Sequence, residues 1–236
     1  MFVNRALSAL FGDGKEPAER AAVELADARR RMVESQMVSR GIANPRVLEA
    51  MGRVPREEFV PEAMRSQAFD DSPLPIGEGQ TISQPYTVAF MAEAAGLQGG
   101  ERVLEVGAGC GYGAAVLGEI ARSVVTIERI ASLAEETRRR LQRLGYANIQ
   151  VIEGDGTTGW PAGAPYDAIV VTAGGAGIPL PLVEQLAEGG RLVIPLGGDR
   201  TEQAMWRFTR HGGQLRMENL GGFRFVPLIG RCGWES

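Results

Sequence analysis

The first regular pattern runs from Pro17 to about Ser39, a stretch without internal Gly or Pro. Apolar residues at Leu25, Met32 and Met37 punctuate small and charged ones, and the spacing predicts a helix that Gly41 ends. A second, short helix is predicted from Asn44-Pro45, with proline in its first turn and Val47, Leu48 and Met51 facing inward. From Pro55 to Gln84 periodicity is lost and Pro, Gly and polar residues collect. A loop of that length in a compact domain is often functional.

Past Pro85 the pattern alternates. Strands are predicted at Arg102–Val106, Ser123–Ile127, Ile149–Ile152, Tyr166–Thr172 and Arg191–Pro195. Helices are predicted through Val116-Leu117, over Ala131–Leu144 with Gly145 as the stop, and over Leu180–Ala187 ended by Gly189-Gly190. The continuously apolar Tyr166–Thr172 run reads as the centre of a parallel sheet. Gln203–Thr209 and Gln214–Asn219 flank His211-Gly212-Gly213 as a terminal antiparallel hairpin. Successive βα units predict an α/β fold with a doubly wound, mostly parallel sheet. The expected organisation is an extension over 1–27, a helical cap and substrate loop over 28–84, and a Rossmann-like core over 85–236.

Composition narrows the function. The 236 residues are 44% hydrophobic and 23% charged, which fits a globular chain rather than a disordered one. A net charge of -4 argues against holding a polyanion by bulk electrostatics, so no nucleic-acid partner is expected. Ala168–Val183 is broken by glycines and prolines, so no membrane span is expected. Met1–Phe11 lacks a small-residue cleavage site, so no signal peptide is expected. Cys110 and Cys232 form no CxxC pair, which suits a reducing cytoplasm and leaves no cysteine-rich metal site. With His211 as the single histidine, Ser-His and Cys-His catalysis would all rest on one residue in a glycine turn.

The chemistry gathers at Glu105-Val106-Gly107-Ala108-Gly109-Cys110-Gly111-Tyr112-Gly113, which leaves a strand and enters a helix. A dinucleotide GxGxxG reading fails at Tyr112, and the shifted frame through Gly109, Gly111 and Ala114 starts late after the strand. Glu128 ends the next strand about 20 residues beyond the first glycine, where a carboxylate accepts both ribose hydroxyls. Asp155, in Gly154-Asp155-Gly156 after the third strand, is placed to accept from an adenine amino group. Together these features predict an adenosine ligand at the carboxyl ends of the strands.

The glycine loop resembles the E/DxGxGxG motif of class I methyltransferases. Far more of the chain, from about Ala28 to Gly230, resembles the protein-L-isoaspartate O-methyltransferase family. The match is strongest over Asp70-Asp71-Ser72-Pro73-Leu74-Pro75-Ile76-Gly77-Glu78-Gly79-Gln80-Thr81-Ile82-Ser83-Gln84-Pro85. It continues through Val54-Pro55-Arg56, Thr126-Ile127-Glu128-Arg129, Gly189-Gly190-Arg191 and Arg224-Phe225-Val226-Pro227-Leu228. That resemblance implies methyl transfer from S-adenosylmethionine to the α-carboxylate of L-isoaspartyl, and some D-aspartyl, residues in damaged proteins. The ester then closes to a succinimide, whose hydrolysis partly restores aspartate.

By the same resemblance Ser83 takes the catalytic serine position, and Ile82, Gln84 and Pro85 accompany it against the substrate. Gly77, Gly79, Gln80, Glu105, Gly107, Gly109, Glu128, Asp155 and Gly156 are the expected cofactor residues, and no metal is expected. The expected partners are isoaspartyl peptides and proteins. The residue chemistry agrees, because a carboxylate with a pKa near 4 is already a nucleophile at neutral pH and needs no histidine base. From spacing alone Ser83 also reads as a cap for the helix starting near Pro85. The chain departs from the family at Ala108, Cys110 and Gly113, and at Gly174-Gly175-Ala176-Gly177 beside the expected active face. Alternative readings are a methyltransferase for a dedicated peptide carboxylate, a catalytically silent adenosine-cofactor module, and an NAD-dependent oxidoreductase.

Overall fold

A computed structural model describes residues 17–199 and 202–235. Helix α1 (Pro17–Met32) runs through the expected 27/28 boundary without a break, then tightens into a π-turn over Val33–Met37 and a 3-10 turn over Val38–Arg40. Gly41 ends it at φ 90°. Met32 and Met37 are buried, whereas Leu25 and Val23 are exposed, so the inward stripe begins a turn later than the sequence suggests. The stretch of the 1–27 extension before Pro17, with the expected absence of a cleavage site, lies outside the described residues. Helix α2 (Pro45–Arg53) starts as read: the Asn44 side chain accepts from the Arg46 amide and Pro45 occupies the first turn. Val47 and Met51 are buried and Leu48 is half-buried.

The stretch Pro55–Gln84 is not one structureless loop. It folds into 3-10 turns at Arg56–Glu58 and Glu62–Gln67 and an antiparallel hairpin, β1 (Leu74–Gly77) with β2 (Gln80–Ile82). Glu78 at the hairpin tip takes φ 52°, between two glycines that are also left-handed. Prolines and glycines mask these short strands, which makes the alternation of Leu74, Ile76 and Ile82 easy to miss.

The remaining elements follow in βα order. They are α3 (Pro85–Ala95), β3 (Arg102–Val106), α4 (Tyr112–Ile120), β4 (Ser123–Glu128), α5 (Ala131–Arg143), β5 (Ile149–Glu153), β6 (Tyr166–Val171), α6 (Leu180–Glu184), β7 (Leu186–Leu196), β8 (Gln203–His211) and β9 (Gln214–Phe223). The seven-stranded sheet has the order β5-β4-β3-β6-β7-β8-β9, parallel from β5 to β7 and antiparallel thereafter. Both faces of the central strands are covered, which is why they read as unbroken apolar runs. Val103, Ala168, Val170 and Val193 face a core shared with α3, α4 and the amino-terminal helices. Leu104, Val106, Ile169, Val171, Leu192 and Ile194 face the opposite one.

Two differences from the sequence reading concern β7 and its approach. The helix before it stops at Glu184, and Leu186 already pairs with Tyr166. The pairing register shifts between Tyr166 and Ala168, and Gly189 at φ 76° takes up the extra residues, so the glycines interrupt a strand instead of ending a helix.

Candidate active site

The order of strands reverses between β3 and β6, and doubly wound sheets bind ligands at the carboxyl ends of strands beside such a switch. A cleft opens there. Its floor is the turn from β3 to α4, where the Gly107 and Ala108 amides donate to the Ile127 carbonyl at 2.9 and 3.2 Å. Gly107 holds φ 97°, and a Cβ on it would stand 2.3 Å from Thr172 Oγ1, so only glycine fits. That hydroxyl donates to the Gly107 carbonyl at 2.7 Å, tying the turn to the end of β6.

Helix α5 holds the same turn from the other side. Thr137 Oγ1 donates to the Gly109 carbonyl at 2.7 Å and Arg140 Nη1 to the Cys110 carbonyl at 2.8 Å. Arg140 thus supports the turn, while Arg138 and Arg139 pair with Glu135. Ala108 and Cys110 in this turn are buried.

Two carboxylates enter this cleft from β3 and β4. Glu128 accepts from the Gly109 amide at 2.9 Å and from the Ile130 amide at 3.0 Å, and each oxygen keeps a further lone pair for a ligand. Glu105 lies between buried valines and leucines, with Thr126 Oγ1 donating to it at 2.5 Å. Burial pushes its carboxyl up to about 8, the Thr126 hydrogen bond opposes that, and the neighbouring Glu128 adds to it. Gly113 makes room for it, since a Cβ there would meet Glu105 Oε1 at 2.3 Å.

The β1–β2 hairpin covers the cleft. Gln80, Thr81, Ile82 and Ser83 line it, Ile76 reaches over Gly109, and Ser132 Oγ donates to Glu78 Oε1 at 2.8 Å from the start of α5. The room beneath the hairpin is about 150 Å³, and the cleft remains open to solvent along one side.

A second cleft, of about 700 Å³, lies on the other side of Ser83. Tyr86, Phe90, Phe223 and Phe225 give it an aromatic wall, and no acid lines it. Arg40 stacks over the Tyr86 ring at 3.6 Å and pairs with Asp71 at 3.1 Å. Arg224 is exposed at the rim and has no ion pair among the described residues. Thr81, Ser83, Thr172 and Val226 line both clefts.

Comparison with known proteins decides the family. The model of the family described as Protein-L-isoaspartate(D-aspartate) O-methyltransferase matches residues 27–233. The chain belongs to that family. A relative from Rhodopseudomonas palustris strain HaA2, named protein-L-isoaspartate O-methyltransferase 1, is 56% identical over 97% of this chain and 94% of its own length. A protein-L-isoaspartate O-methyltransferase from Syntrophus aciditrophicus is 55% identical over 88% of this chain and 96% of its own. Among solved structures, a protein-L-isoaspartate O-methyltransferase with 32% identity superposes at TM-score 0.78, covering 87% of this chain and 67% of that one. One from Plasmodium falciparum, described in complex with S-adenosyl-L-homocysteine, superposes at TM-score 0.74 with 26% identity, over 85% and 98% of the two chains.

Of the residues expected from the isoaspartyl methyltransferase resemblance, Gln80, Glu105, Gly107, Gly109, Glu128 and Gly156 line the first cleft. Gly77 and Gly79 sit at the hairpin tip instead of in its wall. Asp155 faces away. Its Oδ1 accepts from the Thr157 amide and hydroxyl and its Oδ2 from the Arg231 amide, which caps a 3-10 turn and anchors the carboxyl-terminal segment. Ile82 lines the first cleft, Gln84 the second and Ser83 both, whereas Pro85 is buried at the start of α3.

The alternative role for Ser83 as a helix cap is not realised, because α3 has Gln84 at that position and no side-chain cap. Gln84 instead donates to Asp71 Oδ1 at 2.7 Å, fastening the segment before the hairpin. His211 is exposed in the β8–β9 turn near Glu188, at 3.8 Å, and lines neither cleft.

Sequence reasoning missed Thr172, Arg40 and Val226–Ile229, all of which line a cleft. Gly174 and Gly175 supply part of the missing signal. Gly174 bridges Pro227 and Gly175 bridges Leu196, and a Cβ on Gly174 would crowd Gln203 at 2.9 Å. These glycines let the chain beside β6 draw residues 226–229 along the first cleft.

Proposed function

We propose that the two clefts are the donor and acceptor halves of one methyl-transfer site, with Ser83 and Thr172 in the shared wall. The chain's activity is that of its family, transfer of a methyl group to the α-carboxylate of isoaspartyl residues, which starts repair through a succinimide. The observation that carries the residue assignment is where the acids lie. Glu105 and Glu128 face the first cleft, with Arg129 at its rim. The second has no acid in its lining, an Arg224 at its rim that is unpaired among the described residues, and Arg40 paired with Asp71.

The residues of the first cleft suit S-adenosylmethionine. Its floor has no side chain at Gly107 or Gly109, and Glu128 has acceptor capacity for a ribose diol. S-adenosylmethionine supplies a methyl group activated by the positive charge of its sulfonium. Glu128 binds the ribose hydroxyls, and Glu105 turns toward its ionised form when a cation lies beside it. The closed hairpin excludes water. In the second cleft Arg224 draws in the acceptor carboxylate, Ser83 donates a hydrogen bond that orients it, and the aromatic wall receives the neighbouring peptide.

No general base is needed, since the acceptor is ionised at neutral pH. Holding two reactants in line is worth up to about 7–11 kcal/mol of barrier in favourable cases. Cys110 is buried and Cys232 exposed, both unpaired, which supports a reducing cytoplasmic setting. Among the described residues no helix is long and apolar enough to cross a membrane.

The test is an isomer comparison with labelled S-adenosylmethionine. An isoaspartyl peptide should yield base-labile labelled methanol and its aspartyl isomer far less. Equal labelling of the two would overturn the reading.

A further inference from the structure

Arg56 is the largest side chain with essentially no exposure, and among the described residues no carboxylate pairs with its charge. Its Nε donates to the Ala68 carbonyl at 2.7 Å and its Nη2 to the Ser83 carbonyl at 2.8 Å. The guanidinium lies over the Tyr112 ring, 4.7 Å from its centroid. The third nitrogen, Nη1, is buried without a hydrogen-bond partner. Tyr112 opens α4 directly after the glycine turn and lines the first cleft.

Burial lowers the guanidinium's pKa, yet an arginine stays charged, so the fold carries a desolvated cation and an orphan donor. An apolar side chain of similar volume would fill the same space without either cost. What it would lack is the fork. One planar group reaches two carbonyls on segments twelve and twenty-seven residues away and still lies on an aromatic ring.

We infer that Arg56 is a positioning residue that fixes the Ser83 peptide relative to Tyr112, and so sets the distance between the acceptor and donor clefts. This rests on the reading of Ser83 as the substrate-facing residue. The Ser83 carbonyl precedes the first turn of α3 and takes no part in the hydrogen bonds of that helix. The buried fork holds it, and with it the direction in which the Ser83 hydroxyl points. A lysine keeps the charge but cannot hold both carbonyls and stack on the ring.

The experiment compares Arg56→Lys with the unaltered full-length chain. Calorimetry with S-adenosylhomocysteine counts competent sites, so kcat is expressed per binding site and a misfolded fraction does not enter. The inference expects kcat per site to fall at least tenfold, with the dissociation constant within twofold. It also expects faster hydrogen exchange at residues 81–88 and unchanged exchange in β3 and β4. Where Arg56→Lys yields no competent sites, Arg56→Met removes the fork and the buried charge while keeping much of the volume, and the same exchange increase is expected. Unchanged exchange at 81–88, or kcat per site equal to that of the unaltered chain, overturns the inference. Failure of the unaltered chain to methylate an isoaspartyl peptide instead overturns the functional reading, and the exchange result still decides the role of Arg56.

Discussion

The Gly109 amide donates to Glu128 Oε2 at 2.9 Å, so the carboxylate at the end of β4 and the floor of the first cleft form one unit. Glu128 therefore shapes the cleft as well as lining it. Glu128→Ala should weaken S-adenosylhomocysteine binding by about 1.5–3 kcal/mol, the range for hydrogen bonds to a charged group. Calorimetry reads this directly, and an unchanged affinity removes the ribose assignment.

Ser83 lines both clefts and caps no helix. Ser83→Ala should lower kcat with an isoaspartyl peptide and leave S-adenosylhomocysteine affinity nearly intact. Full turnover would reduce Ser83 to a spacer in the shared wall.

Glu105 gives a pH signature. Its carboxyl sits at about 8 in the fold against an ordinary value of 4.5, because burial favours the neutral form. Between those values the folded state holds a proton that the unfolded chain has released, so this residue's contribution to stability falls as pH rises from about 4.5 to 8. Glu105→Gln keeps an acceptor for Thr126 and has no charge to bury. Without ligand, the melting temperature of Glu105→Gln should gain on the unaltered chain across that interval. A constant difference from pH 5 to pH 8 would contradict the assignment.

Gly107 is constrained twice, by φ 97° and by the approach of Thr172 Oγ1 to 2.3 Å of an added Cβ. Gly107→Ala should cost about 1–3 kcal/mol of stability through backbone strain, read by urea unfolding. A cost below about 0.5 kcal/mol would show that the turn relaxes without penalty.

At the hairpin tip the hydrogen bond from Ser132 to Glu78 holds the cover closed. Glu78→Ala should raise both the association and the dissociation rates of S-adenosylhomocysteine, by stopped flow, with a smaller change in their ratio. Unaltered rates would mean that the ligand enters by another route.

Much of the fold, and the position of the glycine turn within it, is legible in the sequence. Period-two burial on both faces of β3 and β6 follows from their unbroken apolar runs, and Asn44-Pro45 announced a helix start through simple capping chemistry. The glycine turn follows from its place after β3 and Glu128 from its distance beyond the first glycine, whereas Glu105 comes from the family resemblance; all of them line the first cleft. The hairpin and the split of β7 were hidden because glycine and proline signal turns without saying whether a strand lies on either side. Asp155 shows the limit of spacing: the offset from β5 is right, but the carboxylate turns to the Thr157 and Arg231 amides. Thr172 and Arg40 carry no local motif, and only the tertiary fold brings them to Ser83.

The most direct measurement is a crystal structure with S-adenosylhomocysteine and an isoaspartyl peptide bound together. It should place the thioether sulfur above Gly107 and Gly109, the peptide carboxylate on the far side beside Arg224, and the Ser83 hydroxyl against that carboxylate. A nucleoside bound elsewhere, or a peptide carboxylate remote from Ser83, would contradict the account.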